Sequence, residues 1–336
     1  MAEIVDGVFK RNETNQKSFG GTERLTLELS QRLDDEDLKG VQIVSSRVRE
    51  LQDDMIRIFW AHDLAGDPEA EFIGTQHGQD KFHRFVFVSN WQMQAYIARY
   101  KLPPSKCVVL RNFIDPIEDH QKPDTKEKIN LIYHTTPHRG LNILVPVFDK
   151  LCEKYKNIHL DVYSSFALYG WDSRDKEFEN IFKAIGDHEH MTNHGTVSNE
   201  DIRQALTQSH IFAYPTTWQE TSCLCLIEAL SAKNICVHSN YGGIYETASH
   251  WTNMYQIQED INKHATAFYN MLDLTIENID QLQKNAEPAK VYADTFYSWE
   301  NRKAEWESLI RSLKILVKDK SIPEDKGPMF SYSTGA

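Results

Sequence analysis

Short apolar runs alternate with amphipathic stretches along most of this 336-residue chain. Residues 41–44, 56–60, 85–88 and 107–110 are near-continuous apolar runs, the pattern of strands buried on both faces. Between them, residues 22–33 place Leu25, Leu29 and Leu33 on one helical stripe, and residues 91–100 form a second helix closed by Leu102-Pro103-Pro104. No opening strand is evident before Gly20. A polar stretch, residues 116–128, reads as an interdomain linker. The pattern then restarts, with strands at 130–133, 159–163, 211–214 and 235–238 and helices at 141–155 and near 223–232. The last helix carries Trp306, Leu309, Ile310, Leu313, Leu316 and Val317 on one stripe.

Buried strands alternating with helices predict an α/β fold of parallel sheets covered on both faces. The restart after the polar stretch predicts two Rossmann-like, doubly wound domains. Ligands of such sheets bind beyond the carboxyl ends of the strands, so the site is expected in a cleft between the two.

The chain has 49 acidic and 37 basic side chains, a net charge of −12. That surface repels nucleic acid and anionic lipid, and no long Lys/Arg run offsets it. With no basic amphipathic helix and no apolar run of the ~20 residues needed to cross a bilayer, membrane association is not expected. The N-terminus has no basic and apolar leader pattern, and the five cysteines form no Cys-x-x-Cys, which together point to a reducing cytoplasm. A homo-oligomer is compatible with all of this. His188, His190 and His194 read as a polar loop and Asp34 to Asp37 as a solvated helix end, so no metal site is expected.

The chemistry concentrates in residues 214–230. Glu220 falls where a buried strand hands over to a helix. Thr221 and Ser222 are the residue types that cap helices. The backbone N–H groups of Ser222, Cys223, Leu224 and Cys225 would then face a diphosphate. Glu228 lies about two turns further on, where a carboxylate can accept both hydroxyls of a ribose. Cys223 and Cys225 read as packing residues.

Glu220 and Glu228 resemble the Glu-x7-Glu motif of retaining glycosyltransferases with the GT-B fold, especially family 4. The order of the surrounding motifs supports the resemblance across residues 18–317: Gly20-Gly21-Thr22-Glu23-Arg24, Trp60-Ala61-His62-Asp63, Val88-Ser89-Asn90, Arg111-Asn112-Phe113-Ile114-Asp115, His138-Arg139-Gly140-Leu141, Gly195-Thr196-Val197-Ser198, Gly242-Gly243 with Glu246, and Phe296-Tyr297-Ser298-Trp299-Glu300. The resemblance implies an acceptor-side domain at 1–117, a nucleotide-sugar domain at 118–299, a helix at 300–320 returning to the first domain, and a poorly ordered tail at 321–336. It implies a hexosyltransferase that uses a UDP- or GDP-sugar with no further cofactor and no metal, and a carbohydrate or glycoconjugate acceptor. Catalytic roles fall to Glu220, His62 and Arg139. Donor binding falls to Gly20, Gly21, Val197, Thr221, Ser222, Cys223, Leu224 and Glu228, with Val197 near the base. His77 is a weaker rival to His62. Tyr133 stands near where the family often has a second basic residue, and the first domain is short for this fold.

Two other classes share the architecture. A nucleotide-sugar epimerase would make a new sugar without an acceptor. A non-catalytic binding protein would hold the donor and release nothing. The Glu220–Glu228 pair in its context favours transfer over both.

Overall fold

A computed structural model of the protein describes residues 2–5, 8–11, 20–118 and 122–318. The expected tail at 321–336 lies outside the described residues. The chain forms two compact units, one from the N-terminal segment, Gly21–Asn112 and the chain from Glu300, the other mainly from Phe113–Trp299.

The first unit holds a six-stranded sheet: β1 (Ala2–Val5), β2 (Val8–Arg11), β3 (Val41–Ser45), β4 (Ile56–Ala61), β5 (Arg84–Phe87) and β6 (Cys107–Val109), in the order β2-β1-β3-β4-β5-β6. From β3 to β6 the pairing is parallel. The expectation of no strand before Gly20 is corrected here. β1 runs antiparallel to β3, with Ile4 opposite Ile43, and β2 folds back on β1. Both strands are four residues long and mix charge with apolar residues, so neither shows the continuous apolar run of a buried strand.

The helix Trp299–Lys318 belongs mostly to this unit. Trp306 is fully buried and meets Trp60 of β4 edge-on at 5.1 Å. Arg311 grips both carboxylate oxygens of Asp37, at 3.0 and 2.7 Å, and that bond holds the Asp37 pKa below its ordinary value. The carboxylates of Asp34, Asp37 and Glu307 converge, but Lys303 and Arg311 pair with all three. The cluster therefore reads as an ionic latch for the helix.

The second unit holds β7 (Ile129–Tyr133), β8 (Ile158–Val162), β9 (Met191–Asn193), β10 (Ile211–Tyr214), β11 (Ile235–Ser239) and β12 (Asn253–Tyr255). All six are parallel, in the order β12-β11-β10-β7-β8-β9. That is the doubly wound order, and its direction reverses between β7 and β10. β7 and β10 are buried at every residue because helices cover both faces, among them Leu141–Lys154 and Ile261–Glu277.

The stretch expected to be a linker is docked instead. Ile114 exchanges backbone hydrogen bonds with Tyr297 and Trp299, and packs with Ile227 and Tyr297. The Ile117 N–H donates to Ser231 Oγ at 2.8 Å, and buried Lys290 donates to the Ile117 carbonyl at 2.8 Å. Arg203 donates to the carbonyls of Asp115 and Pro116. Lys122 caps the chain after the helix Asn199–Gln208 through Ser209 O and reaches Asn234 at 2.7 Å. Among the described residues of this stretch, Lys122 and the backbone of Pro116 and Ile117 are held by partners distant in sequence. Among the described residues, no helix is long and apolar enough to cross a membrane.

One device recurs in both units. His83, just before β5, accepts the Arg57 N–H on Nδ1 at 3.0 Å and donates its own N–H to Arg57 O. His210, just before β10, does the same with Asn130 of β7, and its Nε2–H donates to Pro123 O at 3.0 Å. An Nδ1 that accepts an amide cannot carry a proton, so each ring is held neutral. Burial pushes His210 down to about 4, and also lowers His238 to about 4 and His62 to about 3. The unfolded chain takes up these protons near pH ~6.5, whereas the native state refuses them until the folded pKa values are reached. Stability is therefore complete above about pH 6.5 and is lost as pH falls toward about 4. The urea midpoint is expected to be lower at about pH 5 than at about pH 7.5, and His210→Asn to flatten part of that slope. Equal midpoints at the two pH values would remove this account.

Candidate active site

The switch between β7 and β10 is where an open sheet leaves a crevice at its carboxyl edge. β7 ends at Tyr133 and β10 at Tyr214, and the two buried rings lie 6.1 Å apart. The Tyr133 hydroxyl donates to Thr136 O at 2.8 Å and closes the loop after β7. Tyr133 is thus a structural strut where a second basic residue was the family expectation. Gly140 ends that loop at φ +120°, and a Cβ there would lie 2.3 Å from Pro215 O. Only glycine lets the two loops touch.

This contact positions Arg139 against Glu220. Arg139 Nη1 donates to Glu220 Oε1 at 2.8 Å, and the Tyr214 hydroxyl donates to the same oxygen. Glu220 is 5 % exposed. Burial opposes the Arg139 charge, but Glu220 outweighs it and holds the guanidinium protonated. Burial and the same carboxylate push the Tyr214 phenol well up, so it remains a neutral donor.

The Glu220 backbone is fixed as firmly as its side chain. Its N–H donates to Tyr241 O at 3.2 Å and its carbonyl accepts from the Gly243 N–H. Glu220 and Gly242 form a single parallel bridge. Gly242 has φ +82°, and a Cβ there would stand 2.5 Å from Glu220 O and 2.7 Å from Glu220 N.

The helix after Glu220 starts later than expected. It spans Leu224–Ser231 with Cys223 at the N-cap, whose side chain makes no capping bond. Thr221 and Ser222 are therefore not the cap. The bridge to Gly242 keeps the chain non-helical until Cys223, so the first-turn amides, which no helical carbonyl can reach, are those of Leu224, Cys225 and Leu226. Cys225 Sγ donates to His134 O at 3.2 Å, in keeping with a packing role. Glu228 on this helix is 3 % exposed and accepts from Asn199 Nδ2 at 3.2 Å. Asn199 opens the helix Asn199–Gln208, which Ser198 and Asp201 close with a reciprocal capping box. Val197, two residues earlier, is half-buried.

Several buried polar atoms around these loops have no partner among the described residues: Thr136 Oγ1, His138 Nδ1, Arg139 Nε and, beyond β8, Ser164 Oγ. Buried polar atoms rarely stay unpaired. Four on loops at one sheet edge mark a place for a polar ligand.

The remaining sequence candidates lie apart from this edge in the chain. His62 follows β4 in the first unit, with its N–H on Ser46 Oγ at 2.8 Å and its ring against Trp60 at 4.4 Å. Buried Gly20 precedes, and Gly21 begins, the helix Gly21–Arg32. Sequence reasoning missed Tyr214, Asn199, His138 and Trp218. Tyr214, Trp218 and His138 lay inside stretches already singled out and Asn199 directly followed one, but nothing in their spacing showed that Tyr214 would meet Glu220 or Asn199 would meet Glu228. Trp218 carries the Arg139 guanidinium 5.5 Å from its ring centroid.

The profile of the family described as "Glycosyl transferases group 1" matches residues 114–291, more than half of the chain. One subunit of the human phosphatidylinositol N-acetylglucosaminyltransferase is 24 % identical over 167 residues, 49 % of this chain and 33 % of that protein, so the match spans about a third of the relative. Among solved structures, a glycosyltransferase from Rickettsia africae superposes with a TM-score of 0.65 at 17 % identity, over 81 % of this chain and 76 % of that one. The Anabaena protein Alr3699/HepE, in complex with UDP-glucose, gives 0.60 at 16 % identity over 77 % and 72 %. These likenesses establish a fold of two Rossmann-like units, the GT-B class.

The two close glycine approaches give a graded stability test. Gly40 also has a positive φ, +72°, but a Cβ there meets nothing within 4 Å. Gly40→Ala should cost about 1 kcal/mol from the backbone alone, and Gly140→Ala and Gly242→Ala at least ~3 kcal/mol because backbone must move. Chemical denaturation of the three variants reads this directly, and equal losses would show that close approach is not what demands glycine.

Proposed function

The chain belongs to the glycosyl transferases group 1 family, and on that premise we propose that it transfers a hexosyl group from a UDP- or GDP-sugar to a carbohydrate or glycoconjugate, with retention of configuration. The observation that carries this reading is the set of unpartnered buried polar atoms around the Arg139–Glu220 pair at the sheet's switch point. A nucleoside diphosphate supplies the acceptors that these groups lack. The UDP-glucose bound by the Anabaena neighbour supports a nucleotide-sugar donor.

In this reading each group takes one role. Arg139 uses Nη1 on Glu220 and keeps Nε–H for a phosphate oxygen. The first-turn amides of Leu224, Cys225 and Leu226 add a partial positive end. Glu228, oriented by Asn199, accepts ribose hydroxyls. Glu220 accepts hydroxyls of the donor sugar once Arg139 leans to the phosphate. In the reaction the anomeric C–O bond to the diphosphate breaks and a glycosidic bond to the acceptor oxygen forms. The acceptor proton leaves with the phosphate. Charge builds on that phosphate in the transition state, and Arg139 and the amides stabilise it, with no metal called for. His62, neutral at physiological pH, acts as a hydrogen-bonding group toward the sugar. Gly20 and Gly21 stay assigned to backbone approach at the phosphate or acceptor, and Val197 to the base. Five free cysteines fit a reducing compartment such as the cytoplasm.

The test is a panel of UDP-, GDP- and ADP-sugars, scored by thermal shift and by release of nucleoside diphosphate. One donor class is expected to raise the Tm and to release nucleotide slowly. Glu220→Ala should lower turnover by ~10²-fold or more while nucleotide still binds. Glu228→Ala should weaken nucleotide binding by roughly tenfold. Stabilisation without release, even with acceptors supplied, would favour a binding protein. Formation of a new nucleotide sugar without acceptor would favour an epimerase. No response from any donor by a folded sample sinks the proposal.

A further inference from the structure

Beside the Arg139–Glu220 pair, the second unit displays a ribbon of aromatic side chains, of which the donor site draws only on His138. Trp218 is 40 % exposed and Trp171 is 45 % exposed, both high for indoles. They are joined by an unbroken series of contacts. Trp218 meets His138 edge-on at 5.0 Å, His138 stacks on Phe166 at 5.1 Å with planes 15° apart, Arg174 lies over Phe166 at 4.5 Å, and the same guanidinium lies over Trp171 at 5.4 Å. Tyr169 flanks Trp171 at 5.3 Å.

The segment that carries Phe166, Trp171 and Arg174 is tied together by its own hydrogen bonds. Phe166–Tyr169 and Asp172–Phe178 are two short 3-10 helices. Asp175 joins them by accepting from the Phe166 N–H at 2.8 Å and from the Ser165 hydroxyl. Ser165 also caps the first of them through the Ala167 N–H. Phe166 is buried and anchors the row from below. Indoles this exposed leave apolar surface in water, and neither belongs to the core of the unit.

We propose that Trp218 and Trp171, with Arg174 between them, form a platform on which an oligosaccharide chain lies. A pyranose ring offers an apolar C–H face to an aromatic ring and hydroxyls to a guanidinium, and this surface alternates the two. One pyranose covers one aromatic ring, and the platform offers two exposed indoles with a guanidinium between them, which selects an oligosaccharide over a monosaccharide or the donor's own sugar. The platform begins at Trp218, against Arg139, so a chain bound on it ends beside the donor site. This rests on the proposed transferase reading and assigns its acceptor class: a glycan of at least two rings.

The test uses the full chain with chitotriose, maltotriose and mannotriose, followed by titration calorimetry and tryptophan fluorescence, in parallel with UDP- and GDP-sugars. At least one trisaccharide is expected to bind, to bind more tightly than its monosaccharide, and to shift indole emission. Trp171→Ala and Arg174→Ala should each weaken that binding by roughly three- to tenfold, with Trp171→Phe recovering most of it and the nucleotide-sugar thermal shift unchanged. Trp218→Phe should retain binding that Trp218→Ala loses. If none of the three trisaccharides binds, or if binding ignores Trp171 and Trp218, the platform is overturned while a nucleotide-sugar response leaves the transferase reading standing. Tryptophan-dependent trisaccharide binding by a protein that answers no nucleotide sugar would support the platform and overturn the transferase reading.

Discussion

A Cβ on Gly242 would stand 2.5 Å from the carbonyl of Glu220, and the absence of that atom is what the site in the second unit depends on. The loop after β11 can then pair with the loop after β10, backbone to backbone. With its main chain held, Glu220 has one place to put its carboxylate, against Tyr214 and Arg139. The same bridge delays the following helix until Leu224, which sets where its first-turn amides lie. A second missing Cβ, at Gly140, brings Arg139 to its position. The arrangement is one of backbone contacts that side chains could only obstruct.

The electrostatics build on that frame. A half-buried cation meets a buried anion, and without the other each would be costly there. The nearby proton carriers are kept out of the balance. The Tyr214 phenol is pushed well up and His138 is pushed down to about 4 by burial, Arg139 and Arg174. Arg139 and Glu220 are the charged pair in direct contact here, and Arg139 Nε is left without a partner. Such a place is suited to an anion that brings its own oxygens, and it accounts for the unpartnered Thr136, His138, Arg139 and Ser164 atoms.

The two units share more than an architecture. Each pins two neighbouring parallel strands with a histidine that accepts one backbone amide and returns another, half-buried His83 with Arg57 and buried His210 with Asn130. An imidazole reaches that amide from the residue before the next strand, where the ladder has not yet begun. The stretch that opens the second unit is also committed: Lys290, Ser231 and Arg203 bind carbonyls and an amide of residues 115–117. Its polarity is that of a surface segment tied to one unit.

Much of this was legible in the residues, and the reason is periodicity. Buried parallel strands must be apolar on both faces, so β3 to β5, β7, β10 and β11 stood out in the chain, and so did the helical stripe around Trp306. Local chemistry was legible too, because Glu220 and Glu228 sit in one continuous segment. β1 and β2 escaped notice since two short strands that mix charge with apolar residues carry no period. The linker was misread because polarity shows that a group needs a partner without saying whether the partner is water or Lys290. Thr221 and Ser222 have the chemistry of caps, yet the cap fell to Cys223 because a loop some twenty residues downstream holds the chain back. The order of elements and the kinds of groups available for chemistry are properties of the sequence itself. Which oxygen Arg139 holds, which amide Asn199 lends to Glu228, and why Gly242 must be glycine were decided by the tertiary structure, since each depends on a distance between residues that only folding brings together.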